Sequence, residues 1–221
     1  MQEIYLGESN KFLSGLPHAE YQRLLSKAEV VSLTKGQVLS EVDLVPRYVY
    51  FPLSCLLSLN KIVDGHVKFA LCIVGREGAA NVMNAVNGQS AYLHTEVLCS
   101  GQALRMKLKS FADEMQLSAA LNRKILQYAI RLGGQFAQAA ECNGFHLAEK
   151  RVARWLLLLR NALGSNNFYV THETLSGLAG IRRVGITNAA FALKQGKLID
   201  YTRGYVNIVD LPGLQEVACC C

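Results

Sequence analysis

The sequence lacks the features of a membrane or exported protein. No apolar run in its 221 residues reaches the length of about 18 residues that a transmembrane helix needs. The N-terminal segment is too polar and too acidic for a secretory signal peptide. We therefore expect a cytoplasmic protein with no membrane partner.

Patterns that bind metals are also missing. The seven cysteines and five histidines show no Cys-x-x-Cys, His-x-His or His-x-x-x-His spacing, so no metal site is supported and no cofactor is evident. The terminal Cys219, Cys220 and Cys221 could bind a soft metal or be oxidised, but a frayed tail of unknown role is the simpler interpretation. Four isolated cysteines are expected to be free thiols among apolar neighbours: Cys55, Cys72, Cys99 and Cys142.

Charge is distributed unevenly along the chain. The formal net charge is +6, and residues 146–221 hold nine lysines and arginines against five acidic residues. A composition of 51% apolar and 18% charged residues is typical of a globular protein, and the length allows two domains. The basic excess in the C-terminal part suits a module that binds nucleic acid.

The first module, residues 1–110, is predicted to be mostly β after a short helix whose start is marked by Leu16-Pro17. Short runs rich in β-formers alternate with turns such as Lys35-Gly36 and Asp64-Gly65. Many short strands with regular turns indicate a sandwich or jelly roll. The candidate strands occupy 30–33, 37–40, 48–51, 55–63, 66–74, 96–99 and 103–108.

A long helix is predicted to follow, in a segment 111–143 that ends at Asn143-Gly144. It carries two apolar stripes, one of them with coiled-coil-like spacing. Because one stripe can face the β-module and leave the other for a partner helix, we expect a homodimer; the alternative is a helix buried within one chain. The proposed dimer seam is Leu117, Leu121, Ile125, Tyr128, Leu132 and Phe136, and the second stripe is Leu126, Ala129, Ile130, Gly133 and Ala137.

Residues 171–197 have the pattern of a helix-turn-helix within a C-terminal domain at 144–221. Apolar residues at helical spacing lie on both sides of Gly180, which falls where a tight turn is needed. The start of the second helix carries Arg182, Arg183, Thr187 and Asn188, whose donors and acceptors suit phosphates and base edges. This pattern predicts DNA binding, and a helical hairpin with a solvated basic face is the alternative.

A β-hairpin is predicted directly after this motif, over residues 198–210, with Tyr201 and Tyr205 beside a Thr-Arg-Gly turn. A hairpin in this place is a wing, and Arg203 at its tip could reach a phosphate; an ordinary surface hairpin is the alternative. The candidate DNA-contacting residues are Arg182, Arg183, Val184, Thr187, Asn188, Thr171, His172, Lys194 and Arg203.

The whole order of modules resembles the Crp/Fnr family of bacterial transcription regulators. The segments EKRVARWLL (149–157) and GIRRVGITNA (180–189) are the most specific, and RYVYFPLSCLLSL (47–59) and VGREG (74–78) are similar to the family's effector domain. The resemblance implies an α+β fold with a cyclic-nucleotide-binding-like β-roll, a long dimerisation helix and a winged helix-turn-helix. It also implies a homodimer on a near-palindromic double-stranded DNA operator, with RNA polymerase as a partner.

The resemblance further indicates which bases the second helix reads. Well-known members have Arg-Glu at its start and another arginine four residues after the glutamate; here these places hold Arg183, Val184 and Asn188. Arg183 keeps the guanine-reading fork, Val184 could meet a thymine methyl group, and Asn188 favours adenine. The half-site is therefore expected to differ from the common one of the family.

The effector cassette of the family is altered. Members that bind cyclic nucleotides have a Gly-Glu-Leu-Gly stretch and a later Arg-Ser pair, and here 75–78 and Gln89-Ser90 take these places. Without the phosphate-binding arginine, standard binding of cyclic AMP is not expected; a nucleotide response that uses Arg76 is the alternative. The candidate effector pocket comprises Arg76, Glu77, Gly78, Gln89, Ser90 and Phe136.

An enzyme is the least supported function. A cupin-like metal enzyme would need a set of histidines and glutamates on the strands of the roll, and only His66 and His94 are candidates there. Residues 1–54 contain no cysteine, so the iron–sulfur branch of the family is not indicated either. We expect a regulator whose signal the sequence leaves open.

Overall fold

The computed structural model describes residues 10–63 and 67–218. The predicted turn at Asp64-Gly65, His66, and the terminal Cys219, Cys220 and Cys221 lie outside these residues. The described part is mixed α and β, which confirms the α+β class. Its helices are α1 (Lys11–Ser14), α2 (His18–Ser26), α3 (Val82–Asn87), α4 (Leu108–Leu117), α5 (Ala119–Phe145), α6 (Ala148–Leu163), α7 (His172–Ala179), α8 (Arg183–Gln195) and α9 (Leu211–Val217). Its strands are β1 (Ala28–Leu33), β2 (Val38–Ser40), β3 (Tyr48–Pro52), β4 (Leu56–Val63), β5 (Val67–Val74), β6 (His94–Cys99), β7 (Gly101–Lys107), β8 (Asn167–Tyr169), β9 (Ile199–Thr202) and β10 (Tyr205–Ile208).

The chain forms two compact units. The first consists of the chain up to Ile62 together with Cys72–Gly134, and the second consists of Val63–Leu71 together with the chain from Gln135 onward. The boundary falls within α5, so this helix contributes residues to both units.

Two sheets form the β-roll. A three-stranded sheet has the order β1-β7-β3, and a four-stranded sheet has the order β2-β6-β4-β5. Strand β7 is antiparallel to both neighbours, with Leu104 opposite Val30 on one side and Phe51 on the other. All seven strands predicted for this module are present, with small shifts at their ends.

Aromatic rings fill the core of the first unit. The ring centroid of Phe51 lies 5.9 Å from those of both Phe12 and Phe111, and Tyr128 meets Phe12 edge-on at 5.5 Å. These residues come from β3, α1, α4 and α5. Such contacts add to the free energy of burying each ring, so one cluster holds three helices against a strand.

The predicted long helix is wrong in its continuity and in its C-terminal end. It is two helices, α4 and α5, because Ser118 has an extended backbone (φ −134°, ψ 105°). The Ser118 hydroxyl accepts the N–H of Leu121 at 2.8 Å and donates to Glu20 of α2. At the other end α5 continues through Asn143-Gly144 to Phe145.

The predicted dimer seam is also wrong in its central part. The side chains of Leu121, Ile125, Tyr128 and Leu132 are buried inside a single protomer, so they belong to its core. Leu117 belongs to α4 rather than to the long helix, and Phe136 is half-buried. The second apolar stripe is the exposed one: Leu126 and Ile130 are 63% and 69% exposed, and Gly133 and Ala137 are also exposed.

The second unit is built around α6, which packs against α7, α8 and α9. Its buried face includes Val152, Trp155, Leu156 and Leu159. A three-stranded antiparallel sheet with the order β8-β10-β9 adjoins these helices. The sequence predicted the β9–β10 hairpin, but it did not predict β8, α9 or the short helix α3 of the first unit.

Candidate nucleic-acid interface

A helix-turn-helix is present where the sequence predicts it. Helix α7 begins after Thr171, whose hydroxyl accepts the N–H of Thr174 at 3.1 Å, and this N-cap satisfies a free backbone donor. The helix ends at Gly180, which has left-handed dihedral angles (φ 60°, ψ 38°). Glycine adopts this conformation without steric cost, and α8 begins shortly after it.

The exposed face of α8 carries most of the predicted DNA-contacting residues. Arg182 and Arg183 are exposed at its start, and Val184, Thr187 and Asn188 follow on the solvent side. No side chain caps the N-terminus of α8. Its free N–H groups and the positive end of the helix dipole add to the two arginines, so this end attracts anions such as phosphate.

Thr171 and His172 are half-buried beside this face. Thr171 is used as the N-cap of α7, and Nδ1 of His172 lies 3.1 Å from the hydroxyl of Thr187. Burial, and then the nearby charge of Arg183, lowers the pKa of His172. The structure thus brings His172 into contact with α8, while a DNA contact of Thr171 or His172 stays a prediction.

The wing is a tight hairpin with Arg203 at its tip. Arg203 and Gly204 both have positive φ, 51° and 89°, which is the backbone twist that favours short hairpins. A Cβ atom on Gly204 would lie only 2.6 Å from the ring of Tyr169. Glycine is therefore required at this position, and the turn presents Arg203 to solvent.

Lys194, near the end of α8, is paired with the wing. Its Nζ lies 2.7 Å from a carboxylate oxygen of Asp200, and both side chains are about half exposed. The pair lowers the pKa of Asp200. Lys194 would have to share its charge between Asp200 and a phosphate, so it is the least available of the predicted basic contacts.

The predicted effector residues differ in their exposure and in their hydrogen-bond partners. Arg76 is exposed, and Gln89 is exposed with its side-chain carbonyl oxygen accepting the hydroxyl of Tyr92 at 2.9 Å. Ser90 uses its backbone carbonyl to accept a side-chain bond from Asn84. The first unit contains a cavity of about 420 Å³, and Glu77 is the one residue of these six that lines it. The other lining residues are Lys11, Phe12, Lys124, Gln127, Tyr128 and Arg131.

Backbone N–H groups of the loop 75–80 are hydrogen-bonded to other groups of the protein. The N–H of Gly78 bonds to the carbonyl of Gly75 at 3.1 Å, and that of Ala80 bonds to the carbonyl of Tyr50 at 2.8 Å. The N–H of Ala79 donates to the hydroxyl of Tyr128 at 3.2 Å, and this hydroxyl donates to the carbonyl of Ala79 at 2.8 Å. These three amides are therefore already paired.

Four cysteines of the described chain form no disulfide, as predicted: Cys55, Cys72, Cys99 and Cys142. Burial raises the pKa of Cys55 to about 11, which keeps its thiol protonated and poorly reactive. Within residues 10–63 and 67–218, no group of three histidines, cysteines or acidic residues is placed to hold a metal ion. No helix of the described chain has the length and apolarity to cross a membrane.

Two features of the site were not predicted from the sequence. Phe191 of α8 is exposed on the same side as Val184, although a phenylalanine in a helix usually belongs to the core. Tyr169 and Tyr205 form an exposed edge-on pair on the wing sheet, with ring centroids 5.1 Å apart. The four-residue spacing of Phe191 from Thr187 was the one signal in the sequence for its position.

Comparison with known proteins identifies the C-terminal domain. Residues 150–217 match the model of a Crp-like helix-turn-helix domain. No curated protein sequence matches the chain significantly.

Solved structures extend the likeness beyond this domain. FixK2 from Bradyrhizobium japonicum has a TM-score of 0.77 at 14% identity, covering 88% of this chain and 98% of that one. A Crp/Fnr-family transcriptional regulator from Thermus thermophilus has a TM-score of 0.73 at 20% identity, with coverages of 86% and 98%. The c-di-GMP-responsive global regulator CLP from Xanthomonas campestris has a TM-score of 0.71 at 14% identity, with coverages of 87% and 99%.

These findings confirm the resemblance in fold that the sequence shows. Residues 150–217 are a Crp-like helix-turn-helix domain, and the chain has the fold of the Crp/Fnr family of DNA-binding transcription regulators.

Proposed function

We propose that this protein is a homodimeric transcription regulator that binds a near-palindromic DNA operator without cyclic AMP. The observation that carries the proposal is the exposed face of α8, which begins with Arg182 and Arg183 and continues with Thr187 and Asn188. RNA polymerase is the partner through which it would act, as in the family whose fold it has.

Arg183 is the main base-reading residue in this proposal. It is the first residue of α8, where side chains of a recognition helix reach base edges. A bidentate contact of arginine with guanine contributes about 1–3 kcal/mol of discrimination against other bases. Arg182 and Arg203 are assigned to phosphates, since phosphate contacts position the protein without reading sequence.

The exposed stripe of α5 is the dimer interface in this proposal. Leu126, Ile130, Gly133 and Ala137 recur at spacings of four, three and four residues, which is the repeat of a coiled-coil seam. Their side chains are exposed in the protomer, so a second copy can cover them. Two copies present two recognition helices, and this matches the two-fold symmetry of a palindromic operator.

DNA selection tests the binding function. Wild-type protein is used to select duplexes from a random-sequence library, and the affinity for the selected duplex and for an unrelated duplex is then measured. We expect Arg183→Ala to lose the preference for the selected duplex while its general DNA binding persists. Arg47→Ala, which removes an exposed arginine of the first unit, is the control and should keep the preference; equal preference in Arg183→Ala and wild type would contradict the assignment.

Sedimentation tests the dimer. Ile130→Asp places a charge in the middle of the exposed stripe, where burial against a partner helix would leave it unpaired, so the variant should be monomeric and bind the operator weakly. Leu117→Asp is the matched control, because Leu117 is 70% exposed on α4, and it should remain a dimer. A dimer that persists in Ile130→Asp would rule out this stripe.

A further inference from the structure

Two large apolar side chains face solvent on the recognition helix α8. Val184 is 67% exposed and Phe191 is 62% exposed. The other apolar face of the helix is fully used in the core, where Ile186, Ala189, Ala190 and Leu193 are buried. Val184 and Phe191 therefore do not stabilise the described core, and their exposure needs another explanation.

The two side chains share a face with the polar residues assigned to DNA. Val184, Thr187, Asn188 and Phe191 follow the spacing i, i+3, i+4, i+7, which aligns residues on one side of a helix. Val184 and Phe191 thus lie at the two ends of one continuous surface, with Thr187 and Asn188 between them.

The charges around this surface indicate what covers it. Arg182 and Arg183 lie exposed at its start, whereas Lys194 at its end is already paired with Asp200. An apolar protein partner would have to bury these cations, which is costly without counter-charges. A DNA duplex supplies phosphates at the rim and, in its major groove, the C5 methyl group of thymine as an apolar contact.

We propose that Val184 and Phe191 read thymine methyl groups in the major groove, so that Phe191 determines specificity at a position that Arg183 does not reach. This rests on the proposed DNA-binding function. Seven residues of helix advance about 10 Å at about 1.5 Å per residue, and base pairs are stacked about 3.4 Å apart. The two methyl groups are therefore expected on different base pairs.

Asn188 lies between the two apolar side chains and adds a polar requirement. Asparagine pairs in a bidentate manner with adenine. The half-site therefore combines a guanine read by Arg183 with an adenine read by Asn188 and two thymines, one on each side of that adenine. A base contact by Phe191 extends the reading surface beyond Arg183, Val184 and Asn188 to the third turn of α8.

Removing single methyl groups from the DNA tests the inference. The duplex selected by wild-type protein is synthesised with deoxyuridine in place of one thymine at a time, which deletes the C5 methyl group and leaves base pairing unchanged. For each of the two contacted thymines, wild-type affinity should fall about fourfold, the value that corresponds to one buried methyl group. At the other thymines affinity should be unchanged.

Variants of Phe191 and Val184 test which side chain contacts which thymine methyl group. Phe191→Ala should bind more weakly than wild type and be insensitive to uracil at one of the two positions, and Val184→Ala should be insensitive at the other. Phe191→Leu, which keeps an apolar side chain, should retain the sensitivity. Tyr92→Ala, which removes an exposed aromatic residue of the first unit, is the matched control and should behave as wild type.

The outcomes separate this inference from the function on which it rests. If wild-type protein selects no preferred duplex, the proposed function is overturned and this inference with it. If it selects a duplex but Phe191→Ala shows the same uracil penalties as wild type, only the role of Phe191 is overturned. Each substitution is at an exposed position, and an unchanged melting temperature verifies that the variants are folded.

Discussion

The imidazole of His172 is stacked on the phenol ring of Tyr201, with centroids 4.7 Å apart and 22° between the ring planes. His172 is the first residue of α7, and Tyr201 lies in strand β9 of the wing. Because Nδ1 of the same imidazole lies 3.1 Å from the hydroxyl of Thr187 in α8, the side chain of His172 links all three elements of the candidate interface.

The environment of His172 predicts that the protein loses stability in mild acid. Burial and the charge of Arg183 lower the pKa of His172 in the folded protein, so below the ordinary histidine value of about 6.5 the unfolded chain binds more protons. Stability should therefore fall as the pH drops below about 6.5 and continue to fall until the lower folded-state pKa is passed. His172→Gln should weaken this dependence of the melting temperature on pH, and an unchanged dependence would contradict the role of His172.

The ion pairs of Glu114 predict a second contribution to stability that is lost in acid, at a lower pH than that of His172. This carboxylate is buried in α4 and lies 2.6 Å from Nζ of Lys27 and 3.1 Å from Nε of Arg23. The hydrogen bond from Lys27, followed by that from Arg23, outweighs burial and lowers the pKa of Glu114. The stabilisation is present above the unfolded-state value of about 4.3 and is lost as the pH falls through the lower folded-state value.

Urea denaturation of Glu114→Gln measures this contribution. At about pH 7 we expect a loss of about 1.5–3 kcal/mol in the free energy of unfolding, as for hydrogen bonds to charged groups, and a smaller loss in strong acid. Glu29→Gln breaks the pair with Arg105, in which Glu29 is 59% exposed, and should cost about 0.5 kcal/mol or less. Equal losses of stability in the two variants would contradict the larger contribution expected from the buried carboxylate of Glu114.

The two stripes of α5 should respond in opposite ways to truncation. Leu121 is buried in the protomer core, so Leu121→Ala should lower the free energy of unfolding by about 2–5 kcal/mol. Leu126→Ala should leave the stability of the protomer nearly unchanged and raise the dissociation constant of the proposed dimer. Denaturation and sedimentation on both variants check this, and a dimer weakened equally by both would refute the division.

Cyclic AMP and cyclic GMP should not bind at micromolar concentrations. Position 89 is a neutral glutamine, so a buried cyclic phosphate would be left without a cation, and Arg76 is a solvated residue of the loop. Calorimetry should show no saturable heat with either nucleotide, and DNA binding should need neither. Saturable binding that Arg76→Ala abolishes would instead establish nucleotide recognition by Arg76.

The sequence predicts the strands of the roll and the helix-turn-helix well because local patterns encode them. Gly180 and the Thr-Arg-Gly turn each require a backbone conformation that few residues adopt. Ser118 could not be recognised as a helix break in the same way. It lies in a run of helical periodicity, and its extended backbone is accompanied by a hydrogen bond to Glu20, nearly a hundred residues earlier in the chain.

Tyr128 and Phe191 show a second limit. Tyr128 lies in one of two apolar stripes of α5, and Phe191 lies opposite the apolar residues of α8, so periodicity alone assigns neither side chain to the core or to the surface. The structure places Tyr128 inside, where its hydroxyl bonds with Ala79, and Phe191 outside. Only the packing of α5 and α8 against their neighbours distinguishes the two positions.

The pairing of Tyr128 with Ala79 has a consequence for any small molecule that reaches the loop 75–80. A molecule that took the N–H of Ala79 would bind by exchange, since that donor is already bonded to the hydroxyl of Tyr128. The number of hydrogen bonds would then stay constant, and affinity would have to come from shape and charge. The displaced phenol belongs to α5. A molecule bound at the loop would therefore move a side chain of the helix that carries the exposed stripe.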